Sequence, residues 1–68
     1  MPANKPALVK RLLRVRDAAE YLSLSAWKVR QLVQNGLIPI VQASDGGAWR
    51  IDMRDLDSFI ERNKRTEV

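Results

Sequence analysis

Apolar positions along the chain recur with helical spacing, stop, and resume on a new face. Val15, Ala18, Ala19 and Leu22 fall at i, i+3, i+4 and i+7, one stripe of an α-helix, with Arg16, Asp17, Glu20 and Tyr21 on its other faces. The stripe is narrow and built of small side chains, so a second helix can approach closely over Ala18 and Ala19. Ser23-Leu24-Ser25 then interrupts the pattern. Ser25 is suited to cap a second helix, its hydroxyl accepting from an otherwise unpaired amide, and Leu24 just before it can turn inward. That helix is expected over 26–35, ending at Gly36, a residue that readily takes the left-handed conformation of a helix stop. Val29, Leu32 and Val33 are its inward residues. At about 100° per residue, Trp27, Lys28, Gln31, Gln34 and Asn35 lie opposite them, with Arg30 on the flank.

The period then changes. Residues 37–42 are apolar and β-branched, which predicts a strand, and Pro39 confines it to an edge or an irregular pairing. Ala43-Ser44-Asp45-Gly46-Gly47 reads as a turn. Residues 48–52 alternate like a returning strand, with Trp49 and Ile51 on a core-facing side and Arg50 opposite, completing a β-hairpin. Asp52 is the expected N-cap of a last helix whose apolar stripe is Met53, Leu56, Phe59 and Ile60. Asp55 lies in its first turn, and Arg62, Lys64 and Arg65 follow its end, as the helix dipole favours. Residues 1–6 hold two prolines and no periodicity, and 7–13 read equally as an extra helical turn or as an arm. The expected organisation is therefore a basic, flexible arm over 1–12, a domain over 13–62 and a short tail over 63–68. The fold class is mainly α with a small β-hairpin, in the order helix, turn, helix, hairpin, helix.

Composition narrows the chemistry. Sixty-eight residues suffice for one small core. An apolar share of 46% with 29% charged residues is that of a folded chain rather than a disordered one. There is no cysteine, which excludes disulfides and thiolate metal sites, and no histidine, the commonest general base. Glu20, Asp55 and Asp57 each have a helix-surface or capping explanation rather than forming a catalytic pair. An enzyme, a cofactor and a bound metal are therefore not expected. No apolar run approaches the ~18 residues of a membrane span and no signal-peptide stretch is evident, so a cytoplasmic location is expected. Charge is unevenly placed. Twelve basic residues outnumber eight acidic ones, residues 1–16 carry +5, 17–61 carry −3 and 62–68 carry +2. Basic ends suit an anionic partner such as nucleic acid or a membrane surface, although such charge also simply keeps a chain soluble.

Two short helices joined by a tight turn form a helix-turn-helix, whose second helix is offered to the major groove, and a hairpin after it serves as a wing. The outward face of the second helix bears cations, amides and an indole but no acid, unlike a face that serves only solubility. The candidate DNA-binding residues are Ser25 and Ala26 at its start, then Trp27, Lys28, Arg30, Gln31 and Gln34, together with Arg50 on the wing and Arg16 in the basic N-terminal run. Arginine can bond bidentately to guanine O6 and N7, lysine more often neutralises a phosphate, and glutamine can pair with adenine N6 and N7. A solvated surface is the plain alternative for these residues. Trp27 either packs on a thymine methyl or sugar or folds back over Leu24 and the hairpin.

Several motifs along the chain follow the pattern of one known family of small domains. Leu13-Arg14-Val15-Arg16-Asp17-Ala18-Ala19-Glu20-Tyr21-Leu22 is similar to the family's opening L-T-V-x-E-A-A-E-Y-L. Leu24-Ser25 with Val29, Leu32 and Val33 follows V-S-x-x-T-V-Y-R-L-I, and Gly36-Leu37-Ile38-Pro39 follows G-x-I-P. Trp49-Arg50-Ile51 and Asp55-Leu56-Asp57-Ser58-Phe59-Ile60 resemble W-R-I and D-L-D-x-F-I. In this order the motifs resemble the excisionase family of winged helix-turn-helix domains, which is related to the MerR DNA-binding domain. The resemblance implies duplex DNA as partner, with the hairpin at the minor groove. It implies a sequence-specific, DNA-bending recombination directionality factor that binds cooperatively and helps a tyrosine integrase excise a prophage or mobile element. Small transcriptional regulators share the fold, and a protein-interaction module without DNA binding is a further alternative. Ser23 stands where the family usually has Gly, which predicts a slightly strained or differently shaped turn. Lys28, Arg30 and Gln31 replace its usual Thr, Tyr and Arg. The wing is slightly longer, with Asp45 near its tip and Ala48 where Arg is common, and a carboxylate there opposes deep entry between phosphates.

Overall fold

A computed structural model describes residues 10–67. The elements follow the order β1 (Leu12–Leu13), α1 (Val15–Leu22), α2 (Ala26–Gln34), β2 (Ile51–Asp52) and α3 (Met53–Asn63). The three helices close over one small core of Ala18, Ala19, Val29, Leu32, Ile38, Ile51 and Leu56. Ala18 and Ala19 are both buried, and their methyl groups leave room for α2 to cross α1 closely. The winged helix-turn-helix read from the sequence is the architecture found.

Each helix stops and starts where its sequence dictates. Ser25 Oγ accepts from the backbone N–H of Lys28 at 3.0 Å, satisfying one of the unpaired amides of α2. At the other end Gly36 takes φ +78°. Its N–H donates to the Val33 carbonyl at 3.0 Å, and that of Leu37 donates to the Leu32 carbonyl at 2.9 Å. This paired arrangement absorbs two carbonyls that α2 leaves open. α1 ends the same way, through Ser23 N–H to the Glu20 carbonyl at 3.1 Å and Leu24 N–H to the Ala19 carbonyl at 2.9 Å. Here the left-handed residue is Ser23, at φ 58°. A Cβ in that region crowds the carbonyl that follows it, at about 1–2 kcal/mol, and part of this cost is recovered by the entropy a glycine would lose. Ser23→Gly is therefore expected to stabilise the domain by about 0.5–1 kcal/mol and to raise Tm by about 3–6 °C. Thermal melts followed by circular dichroism check this, and an unchanged or lower Tm would show that the turn is unstrained.

Two expectations need correction. The segment over 37–42 is not a continuous strand. The wing is a hairpin held by one antiparallel bridge between Val41 and Arg50, with N–H to carbonyl distances of 2.7 and 2.9 Å. Pro39 has no N–H to donate, so pairing cannot run back towards α2. Gln42 Nε2 donates to the Gly47 carbonyl at 2.7 Å, and Gly47 N–H donates to the Ser44 carbonyl at 2.9 Å, closing the tip with Gly46 at φ +73°. The second correction concerns the N-terminal side. Leu12 and Leu13 form neither a helical turn nor an arm but pair antiparallel with Asp52 and Ile51. Met53 N–H also donates to the Arg11 carbonyl at 2.8 Å. The domain thus begins before residue 13, because this segment covers an edge of β2. The rest of the expected arm, residues 1–9, lies outside the described residues.

Asp52 ties these parts together. It caps α3 by accepting from Arg54 N–H at 2.9 Å, and its carboxylate takes Arg11 Nε at 3.0 Å and Nη2 at 2.8 Å. The Arg11 hydrogen bonds, then the Arg54 amide, hold its carboxyl below the ordinary value of 3.8. An unfolded chain binds this proton first as pH falls. The contribution of the cap and ion pair is therefore intact above about 3.8 and lost as pH drops through the lower folded value. Asp52→Asn is expected to be less stable than the parent chain at neutral pH, with the gap closing in strong acid. Melts across this range would contradict the assignment if the gap were constant.

Candidate nucleic-acid interface

The exposed surface of α2 follows from the packing of its other side. Val29 and Leu32 are buried and Val33 is half-buried, so Trp27, Lys28, Arg30 and Gln34 stand out from the domain, with Gln31 half-buried among them. Trp27 is 64% exposed, which excludes the folded-back position over Leu24. A bare indole on a helix face without an acid offers apolar and π surface beside cations and amides. Ala26 instead is half-buried and packs against the core. The Ser25 hydroxyl oxygen is occupied as the cap acceptor.

Beside this face lies a groove of about 500 Å³ between the start of α1, the middle of α2 and the base of the wing. It is lined by Arg14, Val15, Arg16, Arg30, Gln34, Ala48, Trp49 and Arg50. Tertiary structure thus joins four expected residues, Arg16, Arg30, Gln34 and Arg50, from three segments of the chain. It does not bring Ser25, Trp27, Lys28 and Gln31 into this groove; they lie along α2 outside it. Four guanidinium side chains line one concavity with no carboxylate in its wall. Among the described residues the ion pairs engage Arg11, Arg14, Lys64 and Arg65, so Arg16, Arg30 and Arg50 of this groove have no carboxylate partner, while Arg14 is paired with Asp17. Such a concavity with a low-dielectric wall focuses a positive potential. Arg50 Nη1 is anchored on the Trp49 carbonyl at 3.0 Å, which holds that side chain along the wing base.

Four residues of the groove, Arg14, Val15, Ala48 and Trp49, were not expected there, and two of them change its chemistry. Arg14 sits at the N-cap position of α1 and leans on Asp17 at 3.4 Å. The available signal was that Arg14 and Arg16 bracket Val15, whose side chain points inward. Trp49 was expected in the core beside Ile51, but it is only half-buried and stands as a wall between this groove and an apolar one beyond it. Ile51 reaches the core because it belongs to β2, whereas Trp49 precedes the single wing bridge and is held by no ladder.

The acids gather on another face. Asp17 and Glu20 line a small cleft with Leu13, Tyr21 and Met53, and the Tyr21 hydroxyl donates to Asp57 on α3. Among the described residues no group of acids, histidines or cysteines is placed to hold a metal ion, and no helix is long and apolar enough to cross a membrane. Arg62, at the end of α3, donates through Nη2 to the Leu37 carbonyl at 3.0 Å, a tie to the segment after α2 rather than a simple complement to the helix dipole.

A family model described as a helix-turn-helix domain matches residues 12–64, from β1 to just past α3. The chain belongs to the helix-turn-helix family. In this helix-turn-helix domain the matched span contains the turn at Ser23, the whole of α2, the wing and every residue of the arginine groove. No curated protein and no solved structure matches the chain.

Proposed function

We propose that this helix-turn-helix protein binds duplex DNA, with α2 in the major groove and the wing base along an adjoining backbone. The observation that carries the reading is the continuity of the acid-free face of α2 with the four-arginine groove. The major groove is wide enough to admit a helix. In this pose Trp27, Lys28 and Gln31 face base edges or the near strand, while Arg50 holds the wing against phosphates. Asp45, exposed at the wing tip, keeps that tip from entering deeply between two phosphate strands.

The more specific role is that of an excisionase: a cytoplasmic architectural protein, not itself an enzyme, that bends attachment-site DNA and orients an integrase. The motif order from Leu13 to Ile60 supports it. With neither histidine nor cysteine and a single tyrosine in the chain, the cutting chemistry falls to the partner. The bend, roughly 1–6 kcal/mol for a modest site, would be offset by phosphate contacts and by neighbouring protomers.

Fluorescence-anisotropy titration of a 30-base-pair duplex at two salt concentrations, beside a Lys28→Ala/Arg30→Ala variant, tests the first part. Salt-sensitive binding that weakens in the variant supports it. A folded protein that ignores the duplex at low salt would assign the surface to a protein partner. For the second part, a ladder of bent complexes on attachment-site DNA supports excision, and a single unbent complex on a promoter would move the protein to transcriptional regulation.

A further inference from the structure

With α2 in a major groove, some of its side chains read bases and others hold the backbone. Around the helix, Trp27, Gln31 and Gln34 take the centre of the outward arc, with Lys28 and Arg30 on opposite flanks. Arg30's flank is turned to the wing and the start of α1, because Arg30 shares its groove with Arg14, Arg16 and Arg50. A lone exposed arginine is free to lay its planar fork on a guanine. An arginine beside three others is different. A phosphate strand passing between helix and wing offsets the charges of Arg16, Arg30 and Arg50, which no carboxylate balances, and adds a second anion to Arg14 beside Asp17, so Arg30 has an anion within reach before any base edge. Trp27, exposed, and Gln31, half-buried beside it, are both outside this groove.

We infer that the groove of Arg14, Arg16, Arg30 and Arg50 is a clamp for one phosphate strand, and that base reading falls to Trp27 and Gln31. This rests on the duplex-binding reading and adds a division of labour to it. Arg30 positions the domain without specifying sequence, and Arg14 joins it in that role. The recognised steps are then A·T pairs, with Gln31 bonded to adenine N6 and N7 and Trp27 against a thymine methyl.

Selection from a randomised duplex library, followed by anisotropy titration across salt, separates the two roles for the parent chain and for Arg14→Ala, Arg30→Ala and Gln31→Ala. Both arginine variants should recover the parent consensus and weaken every duplex by one common factor, about tenfold at low salt. Each should reduce the slope of log affinity against log salt by about one. Gln31→Ala should keep the slope and lose on the order of tenfold discrimination at one A·T pair. An Arg30→Ala variant that changes the preferred base at a G·C pair, or leaves the slope intact, overturns the clamp while duplex binding stands. A parent chain that binds but selects no consensus overturns the assignment of base reading. A folded parent chain that fails to bind any duplex at low salt removes the duplex reading and the clamp together.

Discussion

Leu56→Ala is expected to leave the domain largely unfolded at 25 °C. Leu56 is the fully buried residue of α3, at 0% exposure, and belongs to the same core as Ala18, Val29 and Ile51. Truncating a buried leucine costs about 2–5 kcal/mol, through lost transfer energy and the cavity left behind. A core this small seldom provides more than about 3–5 kcal/mol in total. The two quantities are of equal size, so a single truncation removes most of the margin. Urea and thermal unfolding followed by circular dichroism would show it directly. The same change at Leu37, which is 48% exposed, is expected to cost less than about 1 kcal/mol. Equal and small losses at both positions would mean that α3 is not seated on the core as described.

Reversing two charges in the arginine groove should have the largest effect on binding. Arg16→Glu/Arg30→Glu takes the net charge from +4 to zero and turns two of the four guanidiniums that line the groove into carboxylates. Both side chains are exposed, and neither pairs with a carboxylate among the described residues, so the fold loses little. Glu at position 16 also lies in the first turn of α1, where the helix dipole favours it. Duplex affinity is expected to fall on the order of 100-fold or more at low salt, with the deficit shrinking as salt rises and screening removes both attraction and repulsion. Titration at two salt concentrations, with a melt to confirm folding, checks the result. Unchanged affinity in the double variant would move the interface elsewhere on the domain.

The helical part of this fold is written in local signals. Apolar spacing placed the buried faces of α1 and α2, Ser25 and Asp52 announced the helix starts, and Gly36 announced the stop. Each is a short-range device, an oxygen reaching an amide two or three residues on or a backbone angle that glycine takes without strain. Even the strained turn at Ser23 was visible by comparison with the family's usual residue. The β part was legible only in outline. An apolar run, a glycine turn and an alternating run predict a hairpin but not the length of its ladder. That length depends on what else competes for the edge. Leu12 and Leu13, more than thirty-five residues away in sequence, claim Ile51 and Asp52, while Pro39 denies the wing its inner pairs.

The same division runs through the candidate site. Sequence alone determined the acid-free face of α2, because side chains on one helix turn outward by periodicity once Val29 and Leu32 are committed inward. It also determined that the chain has neither histidine nor cysteine to offer. Only the tertiary structure decided that Arg14 and Arg16 would line one groove with Arg30 and Arg50, that Trp49 would wall that groove rather than fill the core, and that Arg11 would pair with Asp52. Those outcomes join residues from separate elements. They depend on how α1, α2 and the wing base dock on one another, and docking is a property of the packed core rather than of any local stretch of the chain.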